Sequence, residues 1–248
     1  MTRNPYVIIS GMEHSGTTFL TSLIKSNTNT LNCAFECGVL LSKTSPKDFN
    51  EVQPFYDWLC MPVETGQWGL TKQERNWVCA TENWREFYVR LAQASPAIRP
   101  GQQLIDKTPA YAYNLCDIIS RVPETPFIII LKDIRLLYKS YKKRKVPIEL
   151  FLARYLKYKE SLDRALDSDR DNIYLIDHKK LCCTPEQELG KIFRSLQIDI
   201  PVKINSQLEN TELPPLTKDY NYEKEVLTLH EHLTTTELDR LSRITPNC

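Results

Sequence analysis

Charge of either sign is not in excess: 32 Lys and Arg stand against 31 Asp and Glu, a formal net charge of +1. A chain so balanced has no general affinity for polyanions, no nucleic-acid partner is expected, and any basic site must be local. Long apolar runs are also missing. The first covers only Tyr6 to Ile9, and no stretch approaches the roughly 20 residues that cross a bilayer, so neither a secretory leader nor a membrane span is expected. The expected location is cytoplasmic. No second Cys or His pair stands at matching spacing to Cys33-x3-Cys37, so no metal is expected. The eight cysteines, at 33, 37, 60, 79, 116, 182, 183 and 248, are scattered, and the adjacent pair Cys182-Cys183 suits no disulfide, which leaves free thiols as the expected state. Internal repeats and low-complexity tracts are absent as well.

What remains is a 248-residue chain, 42% hydrophobic, long enough for one sizeable core and too short to assume two catalytic domains. Three short runs, Tyr6 to Ser10, Phe127 to Leu131 and Ile173 to Ile176, are rich in Ile, Val or Tyr and lack clean alternation. That pattern suits strands covered on both faces of a parallel sheet, with Gln103 to Ile105 a weaker fourth. Helical spacing marks Thr17 to Ser26, Ala110 to Arg121 and Pro147 to Asp167, the last with Ile148, Phe151, Leu152, Tyr155, Leu156, Leu162 and Leu166 on one face. Pro185 to Leu196 has Thr184 at its N-cap, and a last helix is expected over Thr235 to Arg243. Strands alternating with helices predict a single α/β domain over 1–248, with a central parallel sheet flanked by helices and ligands at the carboxyl ends of the strands. Residues 43–101, rich in Trp, Tyr, Phe and Pro, read as a helical and loop insertion over the active site, and 203–248 as a polar C-terminal tail.

The most informative stretch is VIISGMEHSGTTFLTSLI. It places Gly11-x4-Gly16-Thr17-Thr18 directly after a strand and before a helix, the context of a phosphate-binding loop. Backbone N–H groups and the positive end of the helix dipole converge there, and Ser15, Thr17 and Thr18 add hydroxyls. One position breaks the triphosphatase pattern: Thr17 stands where a Lys would reach the β- and γ-phosphates, so the loop suits an adenylyl phosphate other than ATP. After the strand Phe127 to Leu131, Lys132 and Ser140 are spaced to clamp a second phosphate across a turn and a helix start.

The segment GMEHSGTTFL resembles the 5′-phosphosulfate loop of the sulfotransferase superfamily, whose usual form is Lys or Arg before Ser-Gly-Thr-Thr; here that position is His14. The Lys132 to Ser140 spacing resembles the superfamily's 3′-phosphate motif, with Lys in the place of Arg and Ile134 where Pro is common. Lys for Arg keeps a point charge and loses the bidentate fork. IYLIDHKKLCCTPEQELGKIFRSLQIDIP resembles a third family pattern, with His178 at the tyrosine position near the adenine, and Asp106-Lys107-Thr108-Pro109 resembles the Lys-Thr-Pro turn of bacterial and tyrosylprotein members. The resemblance covers residues 5–201, and the C-terminal Arg-Lys-Gly loop of cytosolic members is absent.

The resemblance implies a metal-independent enzyme that moves the sulfonate of 3′-phosphoadenosine 5′-phosphosulfate (PAPS) to a hydroxyl or amine of a small metabolite or sugar, leaving 3′-phosphoadenosine 5′-phosphate (PAP). It implies a cofactor site of Gly11, His14, Ser15, Gly16, Thr17, Thr18, Lys132, Ser140 and His178. Catalytic candidates are Glu36, His14 and Lys107. Glu36 lies twenty residues after Gly16 among small or apolar neighbours, within one residue of the spacing of a family base. Asp106 and His178 are rival bases, although Asp106 also suits a turn cap and His178 a cofactor contact. Trp58, Trp68, Trp77, Trp84 and Tyr88 are candidates for an acceptor pocket as well as for core. Three alternatives stand beside this reading: an ATP-dependent kinase with Asp133 as a magnesium-binding acid, a PAPS-binding module that transfers nothing, and a nucleic-acid or phosphoprotein binder using Lys139 to Lys145.

Overall fold

The computed structural model describes residues 6–34, 36–50, 54–168, 170–199 and 221–244. In chain order the elements are β1 (Tyr6–Ser10), α1 (Thr17–Asn27), β2 (Leu31–Asn32), α2 (Pro54–Trp58), α3 (Lys72–Cys79), α4 (Trp84–Ala94) and β3 (Gln103–Lys107). Then come α5 (Leu115–Arg121), β4 (Phe127–Leu131), α6 (Ile134–Lys142), α7 (Ile148–Leu166) and β5 (Ile173–Asp177). The last are α8 (His178–Cys183), α9 (Pro185–Ser195), α10 (Tyr222–Leu227), α11 (Leu229–His232) and α12 (Thr235–Ser242).

The strands form one parallel sheet in the order β2-β3-β1-β4-β5. Alternation along β1 shows why its apolar run is continuous. Tyr6 and Ile8 enter the core on one face, with α4 to α7, while Val7 and Ile9 enter the core on the other, with α1, α8 and α9. The chain winds from β1 outward to β2, returns to β3, then crosses β1 to reach β4 and β5. The crevice at the carboxyl end of β1, between oppositely departing connections, is where an open α/β sheet binds ligands.

β1 and β4 have the expected bounds. β3 runs two residues past its expected end, to Lys107, which carries Asp106 and Lys107 into the sheet. The expected helix over Ala110 to Arg121 is a 3-10 turn (Pro109–Asn114) followed by α5, with a break at Asn114 (φ −145°). In α7, Leu156 and Leu166 lie off the buried face, at 52% and 42% exposure, because the stripe runs through Ile148, Phe151, Tyr158 and Leu162. Thr184 precedes α9 as expected, yet its hydroxyl donates to the Lys180 carbonyl instead of capping the helix. α12 is capped by Thr234, not Thr235, through a reciprocal pair of bonds with Glu237. Of the polar tail expected over 203–248, residues 203–220 and 245–248, Cys248 among them, lie outside the described residues; the other seven cysteines are free.

The tryptophan-rich stretch is mainly core. Trp68 is fully buried, Phe49 packs edge to face with Phe55 and with Phe87, Trp84 does so with Phe87, and the Arg90 guanidinium lies over Trp77. Tyr88 stacks on Tyr6 with 4.2 Å between ring centroids. None of Trp58, Trp68, Trp77, Trp84 and Tyr88 lines the cavity described below, so their expected place in an acceptor pocket is not what the fold gives them.

Candidate functional site

The turn between β1 and α1 is built on residues that other sequences could not supply. Gly11 has φ 152°, and a Cβ there would sit 2.7 Å from both the Ile130 carbonyl oxygen and Ser15 Oγ. Gly16 has φ 105°, and its Cβ would press to 2.8 Å from the His178 ring. His14 itself is left-handed, at φ 68°. The Ser15 N–H donates to the Met12 carbonyl (3.0 Å), which closes the loop, and the Leu20 N–H to the Gly16 carbonyl (3.0 Å) starts α1. No side chain caps α1 and no acid stands in its first turn, so its leading amides face an anion site. Thr17 is buried, and Thr18 is exposed on the cavity wall. Gly11 and Ser15 do not reach that wall; they shape the loop from beneath, where Ser15 Oγ is buried without a hydrogen-bond partner.

A cavity of about 710 Å³ opens above this loop, at the carboxyl ends of β1, β3, β4 and β5. His14, Gly16, Thr17, Thr18, Glu36, Lys107, Lys132, Ser140 and His178 all stand on its wall, so residues from four separate motifs meet in one place. Lys132, at the end of β4, donates from Nζ to the His14 carbonyl oxygen (3.2 Å), tying the second phosphate motif to the first loop. Burial pushes its ammonium down to about 8. Ser140, two turns along α6, shares the wall while its hydroxyl donates to the Leu136 carbonyl (3.2 Å). Lys139, Lys143 and Arg144 extend the cationic surface.

His178 is the first residue of α8 and is buried against Gly16, with Cys182 Sγ 3.8 Å from both ring nitrogens. Burial, with Lys132 beside it, pushes the imidazole down to about 3. The imidazole is therefore neutral where it stands on the cavity wall. Burial, together with Arg144 and Lys132, also lowers His14 below the ordinary histidine value, so at neutral pH His14 offers a hydrogen bond and not a charge.

On the opposite wall Lys107 Nζ lies 3.1 Å from Glu36 Oε1. The loop that carries Glu36 is pinned to β3. The Cys37 N–H donates to Asp106 Oδ1 (3.3 Å) and the Gly38 N–H to Thr108 Oγ1 (3.1 Å). Asp106 is fully buried and also accepts from Tyr88 (2.6 Å), Tyr111 (2.7 Å) and Thr108 (2.6 Å) hydroxyls. It is therefore the anchor of this wall, away from the cavity, and its candidacy as a base falls. Asp133, the magnesium ligand of the kinase alternative, is engaged by the Arg135 guanidinium and the Arg135 N–H.

Three polar wall residues stand outside the site read from the sequence. Glu13 accepts from the Tyr113 hydroxyl and from Tyr141 (2.8 Å), Cys182 flanks His178, and Glu225 reaches in from α10. Glu13 was available as a polar residue inside the loop motif; Glu225 had no motif around it.

No family model matches the sequence, and no curated protein is similar to it. Solved structures are. The sulfotransferase domain of the Synechococcus PCC 7002 olefin synthase superposes at a TM-score of 0.63 with 13% identity, covering 100% of this chain and 97% of that one. The sulfotransferase domain of the curacin biosynthetic pathway does so at 0.59 and 12%, covering 100% and 99%. The mouse sulfotransferase SULT7A1, complexed with PAP, does so at 0.53 and 14%, covering 100% and 86%. This chain has the sulfotransferase fold. Both superpositions run over nearly the full length of each chain.

For a nucleotide bearing phosphates at both ends of its ribose, the wall offers two separated anion positions. One is the uncapped α1 N-terminus with Thr17 and Thr18; the other is Lys132, Ser140 and the basic end of α6. The donor set fits such a ligand.

Proposed function

We propose that this chain binds PAPS and transfers its sulfonate to a hydroxyl or amine of a small acceptor. The observation that carries the reading is the meeting of His14, Gly16, Thr17 and Thr18 from the first loop with Lys132, Ser140 and His178 on one cavity wall at the carboxyl ends of the strands. Bound PAPS supplies an activated sulfonate on its 5′-phosphate. The α1 N-terminal amides and the Thr17 and Thr18 hydroxyls hold the 5′-phosphate, Lys132 and Ser140 hold the 3′-phosphate, and His178 packs beside the adenosine. His14 donates a hydrogen bond towards the sulfonate. Glu36 accepts the acceptor's proton, and Lys107 orients that carboxylate and offers positive charge to the oxygen that departs. This assignment puts the acceptor between Glu36, Pro109 and Phe19.

The kinase reading is not favoured, because Thr17 replaces the loop lysine and Asp133 is held by Arg135. Lys139 and Lys142, the core of the polyanion-binding alternative, are tied to Glu225 and Glu237.

Calorimetric titration with PAP tests the proposal. Micromolar binding is expected, weakened at least tenfold in Lys132→Ala and in Thr17→Ala, with no comparable heat from Mg-ATP. Preference for Mg-ATP, or binding unchanged in both variants, would remove the assignment. Transfer is then read as PAP release from PAPS across a panel of hydroxyl and amine acceptors, with Glu36→Gln expected to lower kcat by 10² to 10⁴ at an unchanged PAP affinity, about the range of a general base.

A further inference from the structure

Two acids stand near the cations at the phosphate-binding end of the cavity: Glu13, which the Tyr113 and Tyr141 hydroxyls engage, and a carboxylate from a distant helix. Lys132, Lys139, Lys143 and Arg144 line it together with Glu225, which belongs to α10, more than eighty residues further along the chain. Glu225 Oε2 lies 2.8 Å from Lys139 Nζ. Lys139 is only 4% exposed, so its charge is poorly solvated and depends on a close anion. The carboxylate is partly open, at 32%, on the cavity side of the pair. The bond from Lys139, together with Lys143 and His232, holds the Glu225 carboxyl below its ordinary value against the opposing effect of burial.

The same short helix spans the cavity's margin. Tyr222 faces the His178 ring at 6.1 Å, with Lys179 near its other side, and α10 packs on α8. The following α11 and α12 pack on α6, where Glu237 accepts from Lys142 (2.6 Å) and from Tyr138 (2.9 Å). The C-terminal helices are thus fastened to the phosphate helix by ion pairs, one of which lies inside the cavity.

We propose that Glu225 is an internal competitor for Lys139: a phosphate dianion entering this end of the cavity takes over Lys139, displaces the carboxylate and loosens α10 and α11 from α6. This rests on the proposed nucleotide site and adds a coupling to it. A carboxylate and a phosphate cannot both sit on one buried ammonium without repelling each other. Glu225 therefore lowers affinity for the nucleotide, and PAP in return lowers the hold on the C-terminal helices, by the reciprocity of linked equilibria.

The test is Glu225→Gln, which keeps shape and hydrogen-bonding capacity and removes the charge. PAP is titrated calorimetrically into both proteins, with inorganic pyrophosphate in parallel as a polyanion that needs no adenosine site. Hydrogen exchange of residues 222–232 is followed with and without PAP. About tenfold tighter binding in the variant is expected, with faster exchange over 222–232 when PAP is added to the wild type. Unchanged or weaker binding in Glu225→Gln, or exchange that slows on adding PAP, would overturn the competition. Failure of PAP to bind the wild type would count against the proposed function, while the pyrophosphate comparison would still read the competition; if the variant shows no gain there either, the competition falls as well.

Discussion

Burial pushes the Lys132 ammonium down to about 8, so the residue is charged at neutral pH and loses its proton within the range of an ordinary assay. A phosphate needs the charged form and, once bound, favours it. PAP affinity should therefore be flat below pH 7 and weaken as pH rises through 8, by up to tenfold per pH unit until the pKa of the complex is reached. Lys132→Arg, charged throughout, should flatten the profile between pH 7.5 and 9.5; calorimetry across that range in two buffers checks it. Lys132 and Ser140 were picked out by their spacing after a strand and His178 by its place in a family pattern, and the fold brings all three to one wall. Glu13 was not picked out, because the hydroxyls that engage it belong to Tyr113 and Tyr141, 100 and 128 positions away, and no local pattern encodes such a meeting. The Glu36 and Lys107 pair lies between. Both residues were singled out separately, and only the sheet, which sets β3 beside both β1 and β2, brings them to 3.1 Å.

Among elements, β3 is the one whose ending decides the site. Its last residues turn Asp106 into the core and Lys107 towards the cavity, the period-two alternation of any strand. Asp106 then gathers three hydroxyls and one N–H in a fully buried position. Asp106→Ala should destabilise the fold by about 3 to 5 kcal/mol in urea, since it leaves the buried Tyr88 and Tyr111 hydroxyl protons without their carboxylate acceptor, at about 1 to 3 kcal/mol each. Asp106→Asn, which can still accept some of these bonds, should lose less. If Ala costs under about 1 kcal/mol, the network does not anchor the wall. The sequence placed the α/β alternation and the central strands because buried parallel strands show as unbroken apolar runs. It did not show β2, at two residues too short for any pattern, nor α10, whose six residues carry no fully buried side chain and are fixed by ion pairs made elsewhere. The aromatic stretch misled because a ring signals burial without saying whether what it packs against is protein or ligand.

At the scale of the whole molecule, a chain with net charge +1 gathers Lys107, Lys132, Lys139, Lys143 and Arg144 in one crevice at the ends of β1, β3, β4 and β5, with α10 at its margin. A ligand bound there bridges the loop after β1 to the ends of β4 and β5, so its binding free energy adds to global stability and not to one loop's. PAP at about a hundred times its dissociation constant should add about 2.7 kcal/mol. For a chain of this size each kcal/mol raises Tm by about 2 to 4 °C, which gives a shift of about 5 to 10 °C in a thermal melt. The shift should fall to about half or less in Lys132→Ala at the same PAP concentration, be absent with Mg-ATP, and grow in Glu225→Gln. The stabilisation reports the whole sheet while the loosening of α10 and α11 is local, so both can hold at once: Tm rises with PAP while exchange at 222–232 quickens. A melt that shifts equally with PAP and Mg-ATP would mean that the crevice holds an adenine nucleotide through one phosphate position only, with Lys132 and Ser140 outside the contact.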